Sequence, residues 1–224
     1  MLIFNLIVKD ILIQKKTLLY SLIYAIFASA FFSSLGPNGF GLYMLSPMAI
    51  TYMFITLAVS YDDKNKSDII INSLPLKRSE IVISKYISIF PFAILGFVYS
   101  ILIGFIGKAI GLPMFTRSIS VFNIVFVLTS VCIFSSIFFP VYFKIGNLRM
   151  KFFNVILLML IILLPSSAID YATKNPNNIF FQKISYFISN TSSFTQYSLA
   201  LIIGLIFFLI SLMISISIYN NKEF

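Results

Sequence analysis

The chain has 224 residues, of which 59% are hydrophobic and only 10% charged, against roughly 25% charged residues in soluble globular domains. Water is therefore excluded as its main solvent, and the formal charge of +9 does not point to nucleic acid. Lys and Arg sit at the ends of apolar stretches rather than on a basic face interleaved with stacking aromatics. A single cysteine, Cys132, precludes an intrachain disulfide, and the absence of histidine removes the commonest general base and transition-metal ligand.

In chain order, residues 1–16 come first. Segment 2–15 (LIFNLIVKDILIQK) is apolar but interrupted by Asn5, Lys9 and Asp10. It is too short and too charged to span, and predicts an interfacial helix on the cytoplasmic leaflet, with a disordered tail as the alternative. The first span follows at 17–35. Lys15 and Lys16 before it and Ala28-Ser29-Ala30 within it also resemble a signal peptide, but the long charged region with Asp10 fits that reading poorly. The second span covers 41–60.

Residues 61–85 (YDDKNKSDIIINSLPLKRSEIVISK) then form the most charged connection, with five basic and four acidic residues. Asp68 to Leu74 predicts a short helix ended by Pro75. Ser79 and Glu80 predict the cap and first turn of a helix entering the third span. A solvated loop has no use for Ile69, Ile70 and Ile71 together, so this cluster is expected to dock on the bilayer, on the chain's own helices or on a cytoplasmic partner.

The remaining spans are 86–107, 118–143, 152–169 and 197–219, with an external connection at 170–196. None of the six contains Asp, Glu, Lys or Arg. Each is predicted to be helical, because lipid offers the backbone no hydrogen-bond partner. The fold class is all-α: one polytopic membrane domain over 1–224 with six transmembrane helices.

Counting Lys and Arg in alternate connections gives Lys9, Lys15, Lys16, Lys64, Lys66, Lys77, Arg78, Lys85, Lys144, Arg149, Lys151 and Lys222 on one side. The other side has Lys108, Arg117, Lys174 and Lys183. Twelve against four places both termini in the cytoplasm.

Pro47, Pro91, Pro140 and Pro165 fall in or near spans and suit helices that rearrange, although proline is common in membrane helices generally. Ser29, Ser33, Ser34, Thr51, Thr56, Asn123, Thr129, Ser130, Ser135, Ser136, Ser211, Ser215 and Ser217 mark helix-helix seams. No ionisable group is expected at membrane depth, so the energy for any transport has to be supplied from outside the membrane portion.

The run Ser73-Leu74-Pro75-Leu76-Lys77-Arg78-Ser79-Glu80-Ile81-Val82 followed by Lys85-Tyr86 resembles the SLP-x-x-R-x-x-(I/V)-V-x-x-K-Y signature of permease subunits of bacterial type-2 ABC exporters, including peptide, toxin and antimicrobial exporters of Gram-positive bacteria. Asp62-Asp63-Lys64-Asn65 is similar to the acidic-x-K-N segment before it. Lys77, where a small residue is frequent, and Asp62-Asp63, where a glutamate is usual, are departures that put the individual contacts in doubt. The six-span layout and the interfacial helix fit the same family.

The resemblance implies that Asp68 to Leu74 is a coupling helix. Ile69, Ile70 and Ile71 would seat in a groove of a separate cytoplasmic ATPase, Leu74 and Pro75 would end the helix, and Asp62, Asp63, Lys64, Lys66, Arg78 and Glu80 would form rim ion pairs. ATP and Mg would belong to that partner, since the chain has no G-x-x-x-x-G-K-[ST] loop and needs no cofactor of its own. It further implies a homodimer or a heterodimer with a related permease, and a re-entrant or interfacial piece at 177–190, where an ordinary external loop is the alternative.

The cargo expected from uncharged spans is apolar or amphipathic. Two rival classes are an intramembrane enzyme, for which the spans offer no catalytic constellation, and a non-transporting scaffold or sensor, which would not depend on an ATPase.

Overall fold

The computed structural model describes residues 2–14, 17–33, 41–65, 67, 71, 73, 76–111, 119–146, 150, 153–157, 159, 171, 174, 175 and 178–222. Its helices are α1 (Leu2–Ile13), α2 (Thr17–Ser33), α3 (Ser46–Lys64), α4 (Arg78–Ile87), α5 (Ile89–Ala109), α6 (Val121–Ile145), α7 (Ile179–Asn190) and α8 (Ser193–Asn220), with a π-helical turn at Gly41–Leu45 leading into α3. There is no strand among the described residues, so the all-α class holds.

Among the described residues, four helical stretches are long and apolar enough to cross a membrane: Leu42–Lys64, Arg78–Ala109, Val121–Ile145 and Ser193–Asn220. The apolar part of α2, Tyr20–Phe31, is shorter. Most of the expected fifth span, 152–169, lies outside the described residues, although 153–157 are helical. The first two of these run beyond the limits expected for the second and third spans, α3 past residue 60 to Lys64 and the next stretch back to Arg78. That extension carries Asp62 and Lys85 onto helices.

Proline explains several of these boundaries. Pro47 sits in the first turn of α3, where an N–H has no intrahelical partner to lose. Pro91 cannot donate to the carbonyl of Ile87, four residues back, and the helix turns at Ser88 between α4 and α5. Pro140 lies inside α6, and Pro165 is outside the described residues. At the start of α4 the cap residue is Lys77, in extended conformation, rather than Ser79. The Glu80 carboxylate accepts the Lys77 N–H at 3.0 Å, which moves the helix start ahead of the expected position. Ser192 caps α8, its hydroxyl accepting from the Thr195 N–H.

Helix α3 occupies the middle of the bundle, whereas α5 and α8 line its outside with large apolar side chains such as Phe105, Ile206 and Phe207, each at least half exposed. A surface of this kind is tolerated in hydrocarbon and not in water. Small residues set the inner seams. Ser29 of α2, Ser46 of α3 and Ser100 of α5 are all fully buried and joined at 2.9 and 3.2 Å. By contrast Thr56, Thr129, Ser135 and Ser136 bond back to carbonyls of their own helices.

Gly96 and Gly104 bring α5 close to α3 and the π-helical turn. A Cβ at Gly96 would stand 2.7 Å from the Pro47 carbonyl oxygen and 2.9 Å from Thr51 Oγ1. Backbone cannot yield as a flexible side chain does, so Gly96→Ala is expected to cost about 1–3 kcal/mol, read as a lower melting temperature in detergent. An unchanged melting temperature would mean that the seam is looser than this geometry.

Candidate functional site

Four charged side chains converge at the end of the bundle where α3 gives way to α4. On α1, Lys9 and Asp10 interrupt a mostly apolar helix; on α3, Asp62 lies in the last turn; on α4, Lys85 lies near its end. These four side chains meet. The Lys85 ammonium donates to Asp10 Oδ1 at 2.8 Å and Oδ2 at 2.9 Å, and to Asp62 Oδ2. Lys9 donates to Asp62 Oδ1 at 2.8 Å and stands 3.3 Å from Asp10 Oδ1.

Both carboxylates are 2% exposed and the Lys85 side chain is 7% exposed, while Lys9 keeps 27%. Two cations balance two anions, so the cluster is neutral as a whole. Burial makes each member depend on the others, because an ion removed from water is tolerated only when it is paired and hydrogen-bonded. The result is an ionic knot tying α1, α3 and α4 together. Gln14 adds a bond from the end of α1, donating from Nε2 to the Phe54 carbonyl of α3 at 3.1 Å.

The next residue, Tyr86, faces the other way. Its hydroxyl lies 2.7 Å from both Ser211 Oγ and Ser215 Oγ of α8. Its ring packs on Phe139 of α6, with centroids 4.7 Å apart, and edge-on to Phe208 of α8. At the opposite end of α4, Arg78 Nη1 donates to the carbonyls of Asn220 and Lys222, at 2.7 and 2.9 Å. A guanidinium there satisfies carbonyls at the helix end and complements the negative end of its dipole. Helix α4, the element that leaves the charged connection, is thus fastened to α1, α3, α6 and α8.

Several side chains expected on the rim of a partner are engaged within the chain. Asp62 has both oxygens in the ionic knot, Arg78 holds the end of α8, and Glu80 caps α4. Ile71 is 6% exposed and belongs to the main hydrophobic core. Asp63 is half-buried and Lys64 exposed. Lys66, Asp68, Ile69, Ile70, Leu74 and Pro75 lie outside the described residues, and with them most of the expected coupling helix.

Asp10, Asp62 and Lys85 lie outside the six expected spans, yet all three are buried. From the sequence, Asp10 is one of the interruptions of an interfacial helix, and Lys85 is a topology charge and part of the signature that ends in Lys85-Tyr86. The available clue was the pairing of an acid inside one apolar helix with a lysine at the mouth of another.

A family match, described as ABC-2 family transporter protein, runs over residues 5–220. No curated protein and no solved structure matches the chain. The match runs from within α1 to the end of α8 and includes all four residues of the ionic knot, and with it the chain belongs to the ABC-2 transporter family.

Proposed function

We propose that the chain is the permease subunit of a bacterial exporter whose ATP is hydrolysed by a separate cytoplasmic subunit docking on residues 61–85. Family membership supports a transport role, and one observation carries the mechanical part. Helix α4 emerges directly from the 61–77 connection and is bonded to α1, α3 and α8 by the Lys85, Tyr86 and Arg78 contacts. A push delivered to that connection moves α4, and α4 cannot move without straining those three helices.

The docking residues of this reading are Ile69 and Ile70, with Lys64 and Lys66 at the rim. Ile71, Asp62, Arg78 and Glu80 act from inside the chain, supporting the platform on which the partner sits. The cargo is apolar or amphipathic, a peptide, toxin or antimicrobial, in keeping with predicted spans that carry no charge. The Lys and Arg count puts the docking end, both termini and the ionic knot on the cytoplasmic face of the cell membrane. A second permease, identical or related, completes the pathway, and ATP and Mg remain with the ATPase.

The test is affinity purification of the tagged chain from membranes of the cells that encode it, followed by mass spectrometry. A P-loop ATPase in near-stoichiometric amount is the expected result. A chain purified without any ATPase, from membranes that export normally, would contradict the reading and favour a scaffold.

A further inference from the structure

Ser136 lies four residues before Pro140 on α6. Its carbonyl is therefore the one that a proline leaves without an intrahelical donor. Ser211 of α8 takes that place, donating from Oγ to the Ser136 carbonyl at 2.6 Å. With its only proton committed, Ser211 can meet Tyr86 solely as an acceptor, so the Tyr86 hydroxyl donates to it and Ser215 donates to Tyr86.

A directed chain results, from Ser215 to Tyr86 to Ser211 to the Ser136 carbonyl. Tyr86, Ser211 and Ser215 are all buried. The Tyr86 ring rests on Phe139, next to the proline itself. Helix α4 therefore reaches the weak point of α6 twice, once through its hydroxyl and once through its ring.

We infer that Tyr86 is a positioning residue that sets the bend of α6 at Pro140. It holds Ser211 against the freed carbonyl, and displacement of α4 breaks or restores that bond. A helix interrupted at a proline bends where its ladder is missing, and a side chain inserted there fixes the angle. The inference rests on the permease reading, because the displacement of α4 is the stroke that reading assigns to the ATPase.

The experiment uses the chain in nanodiscs with its co-purified ATPase, in a Cys132→Ala background. Spin labels replace Lys77 and Val121, at the start of α4 and at the far end of α6. The wild-type distance distribution is expected to shift on addition of ATP and vanadate. Tyr86→Phe keeps the ring packed and removes the hydroxyl; it should retain ATP hydrolysis and lose the shift.

Ser211→Ala should lose both the shift and several degrees of melting temperature, since the Ser136 carbonyl is then left without a donor. Adding Pro140→Ala to Ser211→Ala returns a backbone N–H to that carbonyl. The double variant should recover the melting temperature but not the shift.

Tyr86→Phe shifting like wild type would overturn the inference, as would a double variant that recovers shift and stability together. Either outcome would make the network a matter of polar satisfaction only. A wild-type chain that binds an ATPase but shows no shift overturns it as well, whereas a chain that binds no ATPase fails the permease reading itself.

Discussion

Lys85→Met is expected to destabilise the chain by about 3–5 kcal/mol, the usual consequence of removing one partner from a buried ion cluster. Lys85 is the buried cation of the cluster and donates to three carboxylate oxygens of the two acids. Without it Asp10 and Asp62 keep only Lys9, which is itself partly solvated. Two nearly dry carboxylates would then share one cation. The melting temperature in detergent should fall on the order of 10 °C, and α1 should become accessible to protease.

Adding Asp10→Asn and Asp62→Asn to Lys85→Met should recover most of that loss, because no uncompensated charge stays buried and Lys9 can turn to solvent. Full stability in the single variant would show that the cluster is solvated rather than buried. Lys9 substitutions should have a smaller effect, in line with its exposure.

The second large effect is functional. Ile70→Asp is expected to abolish transport and binding of the ATPase while leaving insertion and melting unchanged, since an aspartate would have to be desolvated in an apolar groove. Its neighbour supplies the contrast. Ile71 is part of the chain's own core, so Ile71→Asp should instead destabilise the permease itself. Co-purification of the ATPase with each variant, together with melting of each variant alone, separates docking from folding. An Ile70→Asp chain that keeps its ATPase and exports normally would sink the docking assignment.

Helices were legible in the sequence wherever long uncharged apolar runs left only one backbone solution. The α3, α5, α6 and α8 stretches followed from that rule alone. Their ends were less legible, because charge density sets the limit of a span but not of a helix. The α3 helix continues through Asp62 to Lys64, where a hydropathy reading places connection, whereas the start of α4 at Arg78 is close to the cap expected at Ser79. Cap chemistry shifted as well, since Glu80 reaches back to Lys77 while Ser79 lies within the helix.

The central site was least legible for a physical reason. Asp10, Asp62 and Lys85 are separated by 52 and 23 positions (62 − 10 and 85 − 62), and no periodicity within one segment reveals that they share a point in space. Each looked like a surface charge by itself. The Lys85-Tyr86 pair was visible as the end of a signature, but its meaning needed the fold. Adjacent helical residues point in directions about 100° apart, so one side chain reaches α1 and α3 while the other reaches α8. Seam residues were half legible, for Ser29, Ser211 and Ser215 bond across helices whereas Thr56 and Thr129 bond to their own carbonyls.

In the proposed mechanism an ATPase acts on residues 61–85 and α4 passes its movement inward. A photo-crosslinking amino acid placed in turn at Lys64, Ile70 and Ile71, in the cells that encode the chain, tests it most directly. Adducts with a cytoplasmic ATPase are expected from Lys64 and Ile70 and none from Ile71, which is enclosed by the chain's own core. Adducts with the ATPase from Ile71 but not from Lys64 or Ile70, or no ATPase adduct from any of the three, would contradict it.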